Sequence, residues 1–339
     1  MVKVTVLVAV YNSETYLREC LDSLLAQSFK DFQAVCVDDA STDNSWQILQ
    51  EYAEKDSRFE VIHLEKNGGQ AKARNVALSK ARGVYTCFLD SDDFLSPDAL
   101  ESVVARFEEK QEFDCVLFRC LYLYPEEGRL EAYAMEPFVS MTGQEAFVES
   151  LTWKIHGIYA VKTAIHQKYP YDDSLHSYSD DNTTRLHYLA SREVSSCNGI
   201  YYYRQHRASV THRVSLERLD YLKANAIMRQ TLLRLGVDEE LIDSYENHRW
   251  LNVVGLYQFA IMHRSSFSMD EWREGMQVIR EAWASIEVHR LDARNHIKWG
   301  YLLCRSFWMP MEWGWRLFRW EEDTYYLLRK IFHRLPHDV

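Results

Sequence analysis

The stretch "CFLDSDDF", residues 87–94, sets three carboxylates within four positions directly after an apolar run. Asp90, Asp92 and Asp93 repel one another unless water, a cation or hydrogen-bond donors stand between them. Ser96 and Pro97 read as the cap and first residue of a following helix, an ordinary reading that leaves Asp90 and Asp92 unexplained. A second acidic group, Asp180 and Asp181, precedes "NTTRLHYLA", where acids at a helix start also serve as caps. Asp38 and Asp39 end another apolar run in "VDDAS", itself a turn signature. Against these acids stands Arg74 in "NGGQAKARN", near the start of a glycine-led helix. There a guanidinium and backbone N–H groups together can offset an anion's charge.

These residues need elements to carry them. Over the first hundred residues, short β-branched runs alternate with helical patterns, as expected of a parallel sheet with crossover helices. "KVTVLVAV" reads as a strand, Leu17, Leu21, Leu24 and Leu25 recur at helical spacing, and "QAVCVDDAS" is a strand ending in acids. "SWQILQEYAEK" then reads as a helix, "FEVIHLE" as a strand, "GGQAKARNVALSKA" as a helix, and "GVYTCFLDSDD" as a strand followed by an acidic loop. Open α/β sheets bind ligands beyond the carboxyl ends of their strands. Asn12, Asp38, Asp39 and Asp90 all fall at such ends.

In order and spacing, "VTVLVAVYN", "VDDASTDNS", "NGGQAKARNVAL" and "FLDSDD" resemble the nucleotide-sugar domain of family 2 glycosyltransferases, inverting enzymes of the GT-A fold. One departure is Ala9, where the family often has proline; a small change in strand-end rigidity is expected, with no loss of function. The resemblance implies an α/β mixed sheet with flanking helices and a catalytic domain over residues 1–215, whose nucleotide-sugar half is 1–95 and acceptor half 96–215. A helical C-terminal region over 216–339 would follow. The resemblance also implies a donor site of Val8, Ala9, Tyr11, Asn12, Asp38, Asp39, Asn67, Gly68, Ala71, Arg74, Asp90, Ser91, Arg204 and Ser209. Tyr11 would border the base, although an aromatic there also suits a core. Asp92 would hold Mn²⁺ or Mg²⁺, with His206 of "YYYRQHRASVTHR" as a further ligand, while Asp90 reaches the ribose or the metal's water. Such cations commonly share a protein carboxylate with substrate phosphates and relieve the charge growing on a departing diphosphate.

Asp181, 89 residues after Asp92, falls where the family places the second acid of a pair, its catalytic base. An inverting transfer needs a carboxylate to take the acceptor hydroxyl's proton. The pair here is Asp180–Asp181 rather than the usual Glu-Asp, so both acids stand as candidates. Trp153 and Lys154 in "TWKIHGIYAVK" sit where the family builds its acceptor side, and Trp153 equally suits a core.

At 339 residues, 47% of them hydrophobic, the chain can bury a large core. A net charge of −11 argues against a general nucleic-acid binder, because phosphate contacts need basic surface. Seven cysteines without a close CxxC pair read as buried thiols of a reducing compartment. "MVKVTVLVAVYN" reads as a first strand rather than a signal peptide, which makes the cytoplasm the expected location.

From about residue 215 the pattern turns helical, in "LERLDYLKANAIMRQTLLRLG" and "EWREGMQVIREAWASI". Residues 297–335 hold five of the ten tryptophans and more basic than acidic side chains. Arginines and Glu312 interrupt that tail too often for a membrane-spanning helix. The mixture suits peripheral contact with the inner face of the plasma membrane; the rival is an arm packed on the catalytic domain or on a homodimer partner. The expected activity is transfer of a sugar from a UDP-sugar to a hydroxyl of a glycan or lipid-linked acceptor of a bacterial surface polysaccharide. Two rivals are a nucleotide-sugar-binding scaffold without turnover and an aspartate-nucleophile phosphohydrolase, whose loop would continue to threonine or valine where Phe94 stands.

Overall fold

The computed structural model describes residues 2–174, 178–205 and 215–298, with side chains to 295. His206, Ser209 and the tryptophan-rich tail lie outside the described residues. The chain begins β1 (Val4–Val10), α1 (Leu17–Leu25), β2 (Phe32–Asp38), α2 (Ser45–Lys55), β3 (Phe59–His63), α3 (Gln70–Ser79) and β4 (Tyr85–Phe88). It continues with β5 (Phe94–Leu95), α4 (Ala99–Glu109), β6 (Phe113–Tyr124), β7 (Arg129–Ala132), β8 (Ser140–Thr142) and α5 (Gly143–Leu151). Next come β9 (Tyr159–Lys162), α6 (Thr163–Lys168), α7 (Ser179–Ala190) and β10 (Glu193–Arg204). Four helices close the described chain: α8 (Asp220–Leu235), α9 (Glu239–Met262), α10 (Met269–Ala284) and α11 (Ala293–Lys298).

Among the described residues ten strands form one sheet in the order β3-β2-β1-β4-β9-β6-β10-β5, with β7 beside β6 and β8 beside β10. The β1–β2, β2–β3, β1–β4 and β6–β10 pairs are parallel, while β9 runs antiparallel between β4 and β6. β1 is apolar at nearly every position because both of its faces are covered. Val4, Val6, Val8 and Val10 pack in one cluster with Leu17, Leu21 and Leu24 of α1 and with α4, while Leu7 and Ala9 pack with Ala73, Ala77 and Leu78 of α3. The alanines on α3 let that helix lie close to the sheet. Chain order reverses about β1, since β2 lies on one side of it and β4 on the other. The crevice beyond the carboxyl ends of these strands is the usual ligand position in such sheets.

The helix expected from Pro97 begins instead at Ala99, and no side chain caps it. Ser96 is drawn elsewhere: its backbone N–H donates to the Ile200 carbonyl at 2.8 Å, and its hydroxyl accepts from the Ile200 N–H at 2.9 Å and donates to Asp98 Oδ1 at 2.6 Å. These bonds, with the β5–β10 pairing, fasten the end of the acidic loop to β10. Cys20, Cys36, Cys87, Cys115 and Cys120 are buried free thiols.

The chain divides into two compact units, Met1–Ala224 and Asn225–Val339. In the second, the fully buried Glu246 of α9 accepts from Arg229 Nε at 3.0 Å, Arg249 Nη1 at 2.8 Å and the Glu287 N–H at 2.6 Å. Such a complete set of donors is what lets a carboxylate stay buried. Among the described residues no helix is long and apolar enough to cross a membrane.

Candidate active site

The loops after β1 and β2 interlock at the sheet edge. Asn12 has a left-handed backbone (φ 49°), a conformation asparagine tolerates better than most residues. Its Oδ1 accepts from the Thr42 N–H at 2.7 Å, and its own N–H donates to Ser41 Oγ at 3.0 Å. Val8 and Ala9 are buried beneath this junction, whereas Tyr11 is 50% exposed and so is not core filler.

Asp38 Oδ2 pairs with His63 Nδ1 at 2.7 Å, while its Oδ1 is buried and accepts no hydrogen bond among the described residues. Asp39 accepts from the N–H groups of Gly68 at 2.8 Å and Gly69 at 2.7 Å, and its carbonyl accepts from Asn67 Nδ2 at 3.2 Å. Asp39 thereby folds the "NGG" loop against β2. The loop turns into α3 at Gly69 (φ 86°), a backbone that glycine alone adopts without cost, which places Ala71 and Arg74 on the first turns of that helix.

The acidic loop after β4 is held from two sides. Asp90 Oδ1 accepts from Arg74 Nη2 at 2.5 Å and Gln70 Nε2 at 3.0 Å, both on α3. From β10, the Tyr201 hydroxyl accepts from the Asp90 N–H at 3.1 Å and donates to Asp93 Oδ2 at 2.8 Å. Asp93 Oδ1 accepts the Arg204 N–H at 2.7 Å. Ser91 Oγ bonds Ser13 Oγ at 2.7 Å. The Arg204 side chain donates to the Asp92 carbonyl at 2.8 Å and to Glu19 at 2.6 Å, so its guanidinium braces this loop. Burial, then the charges of Asp90 and Asp92, push the Asp93 carboxyl up to about 8. Burial likewise raises Asp90, opposed by Arg74.

The charge of the second acidic site is felt at Arg74. Burial works to lower this arginine, but the charges of Asp90, Tyr171 and Asp180 outweigh it and hold the guanidinium above its ordinary range. Asp180 in turn adds to the rise at Asp90. Arg74 also lies over the rings of Phe88 at 4.3 Å and Tyr171 at 5.2 Å, which stack favourably with a guanidinium. Its neighbour Asn75 exchanges two hydrogen bonds with the Tyr171 backbone, at 2.8 and 3.0 Å. These contacts tie α3 to the chain ahead of α7. The first turn of α7 carries Asp180, exposed, and Asp181, partly buried. Burial pushes Asp181 up to about 7, with Arg185 opposing. Trp153, 38% exposed and left-handed (φ 56°), lies 5.4 Å from the Arg185 guanidinium, and Lys154 pairs with Glu149 at 2.9 Å.

Residues 5–169 match the family described as glycosyl transferase family 2. Over that segment the chain is a family 2 glycosyltransferase domain. It is similar to glycosyltransferase GlyG of Streptococcus pneumoniae serotype 4, 29% identical over 226 residues that cover 61% of this chain and 72% of GlyG. It is also similar to the poly(ribitol-phosphate) beta-N-acetylglucosaminyltransferase TarS of Staphylococcus aureus, 44% identical over 112 residues that cover 32% of this chain and 19% of TarS. The crystal structure of S. aureus TarS 1–349 in complex with UDP-GlcNAc superposes with a TM-score of 0.70 at 23% identity, covering 85% of this chain and 82% of that one. The shared architecture is the GT-A fold, with its mixed sheet and flanking helices.

Around these loops the structure adds residues that spacing did not single out: Glu19, His63, Gln70, Asn75, Tyr171, Tyr201, Arg185 and Tyr221, whose hydroxyl accepts from Arg185 Nη2 at 3.0 Å. Arg185 stands four residues after Asp181, a helical neighbour spacing that could have flagged it. Tyr201 and Tyr221 are brought in by strand order and chain return, which leave no local signal. Among the described residues no group of three or more His, Cys, Asp or Glu side chains is arranged to hold a metal. The acidic loop sets Asp90, Asp92 and Asp93 together, with Asp90 already bonded to Arg74 and Gln70 and Asp93 to Tyr201 and the Arg204 N–H; their carboxylates are oxygen donors of the kind a divalent cation takes. Mg²⁺ and Mn²⁺ are held by one or two carboxylates together with substrate phosphates.

Proposed function

We propose that the transferase moves a sugar, with inversion, from a UDP-linked donor to a hydroxyl of a glycan or lipid-linked glycan in surface-polysaccharide synthesis, with Mn²⁺ or Mg²⁺ as cofactor. The observation that carries this reading is the Arg74–Asp90 pair at 2.5 Å, with Asp180 on the first turn of α7 near enough for its charge to act on both. The likeness to TarS, solved with UDP-GlcNAc, supports a UDP-sugar as donor. Asp38, with an open buried oxygen, Asp39 and Tyr11 form the nucleoside end. Arg74 is a fixed cation that offsets charge on the diphosphate. Asp92, with His206, would hold the cation, which when bound relieves the charge growing on the leaving oxygens.

Asp181 is the base. As the acceptor oxygen bonds the anomeric carbon, its proton passes to the Asp181 carboxylate and the bond to the diphosphate breaks on the opposite face. A carboxyl raised to about 7 is partly ionised at neutral pH and basic enough to take that proton. The exposed Asp180 lacks such an enclosure. Trp153 and Lys154 border the acceptor.

UDP release from a panel of UDP-sugars, with Mn²⁺, Mg²⁺ or EDTA, tests the reading. Wild type should release UDP only with metal, at a rate that climbs with pH through an acidic limb near 7. Asp181→Asn should lower turnover by roughly 10²–10⁴-fold while calorimetric UDP binding persists. Unchanged turnover in that variant rejects Asp181 as base, and release in EDTA rejects the cofactor. The aromatic and basic tail supports peripheral contact with anionic lipid, which would bring a lipid-linked acceptor to the site.

A further inference from the structure

Arg185 is wholly buried, on the inner side of α7. A buried guanidinium costs several kcal/mol unless its charge and donors are met, so its surroundings tell what it is for. Its Nη1 lies 3.9 Å from Asp181 Oδ2, and its Nη2 donates to the Tyr221 hydroxyl at 3.0 Å. Tyr221, on α8, lies near enough to the Asp181 carboxylate for its hydroxyl to favour the ionised form. The guanidinium donates to the phenol oxygen, and a phenol O–H is a donor suited to a carboxylate.

We infer that Arg185 and Tyr221 are a positioning pair that holds the Asp181 carboxylate in one orientation and keeps it ionised inside its enclosure. The inference rests on the reading of Asp181 as base. Three observations carry it beyond simple core packing. Arg185 and Asp181 stand one turn apart on the same helix, so the cation is fixed relative to the carboxylate by the backbone itself. Tyr221 arrives from a different element and fixes the second coordinate. Its ring packs on that of Tyr178 at 4.9 Å, and Tyr178 precedes α7 in a left-handed conformation (φ 66°) that glycine adopts far more readily. The charged and titratable groups facing Asp181 among the described residues are Asp180 and Arg185 on its own helix, Tyr178 at its start and Tyr221 from α8. Of these, Arg185 and Tyr221 favour the ionised carboxylate and Asp180 opposes it.

Tyr221→Phe is the cleanest test, since it removes one hydroxyl and keeps the ring. UDP release is followed from pH 5 to 9, using the UDP-sugar that wild type hydrolyses fastest, with UDP affinity measured by calorimetry as the control for folding. The acidic limb of kcat should move up by about one pH unit, a shift worth about 1.4 kcal/mol, which lowers kcat at pH 7 about five-fold. UDP affinity should be unchanged. Arg185→Lys, which keeps the charge but not the planar fork, should lower kcat with a smaller move of the limb. If Tyr221→Phe leaves both limb and kcat at wild-type values, the positioning pair is wrong. If Asp181→Asn itself retains turnover, the base assignment fails first, and the two failures are distinct because only the second is seen in the Asp181 variant.

Discussion

At the residue scale, the raised carboxyl of Asp181, the proposed base, burdens the fold. Its folded-state value, about 7, lies above the ordinary 3.8. The folded chain therefore keeps a proton that the unfolded chain has already lost. Unfolding releases that proton, so the stability this group contributes is fully present below about pH 4 and is lost as pH rises through 7. Asparagine cannot titrate. Thermal unfolding at pH 5 and pH 8 should show a smaller fall in Tm for Asp181→Asn than for wild type, with the variant the more stable of the two at pH 8. Equal slopes would mean that the enclosure does not raise this carboxyl. Arg204 teaches a different lesson. Its place in a motif suggests a ligand to the donor, and in the fold its guanidinium is held by Glu19 and the Asp92 carbonyl beside the acidic loop.

At the scale of elements, α3 is the part that joins the acidic loop to the chain ahead of α7. Arg74 reaches the acidic loop and Asn75 grips the Tyr171 backbone. Asn75→Ala removes both bonds of that grip and should cost about 1–3 kcal/mol in urea unfolding. It should also lower kcat more than it weakens UDP binding, because the arginine beside it would lose its fixed place. Losses confined to UDP affinity would contradict this. α3 itself was legible in sequence, since paired glycines followed by alanines at helical spacing announce a helix that starts abruptly and lies close to a sheet. The strands β1 to β4 were legible for the same kind of reason, being short β-branched runs ended by acids and turns. What no spacing reveals is that β9 enters between β4 and β6, or that β10 pairs with β5. Those pairings are set by packing across the sheet, and they put Tyr201 and Arg204 beneath the acidic loop. The late start of α4 has the same origin, because Ser96 bonds β10 instead of capping a helix.

At the scale of the whole molecule, a chain of net charge −11 ends in a tail richer in arginine and tryptophan than the rest. If that tail meets anionic lipid, the full chain should float with vesicles containing phosphatidylglycerol and not with neutral vesicles, and should detach as salt is raised. Flotation indifferent to lipid charge would overturn the electrostatic part of that contact. The buried cysteines of the sheet have a practical consequence of their own. Cys36 and Cys87 sit on neighbours of β1 and Cys120 on β6, each pushed up to about 12 by burial, so as protonated thiols in a dry interior they are inert towards alkylating reagents. They react only when the strands around them part. The rate of their modification in native buffer is thus a built-in clock for opening of the sheet, and its slowing by a nucleotide would gauge how firmly the ligand clasps strands it touches only at their ends.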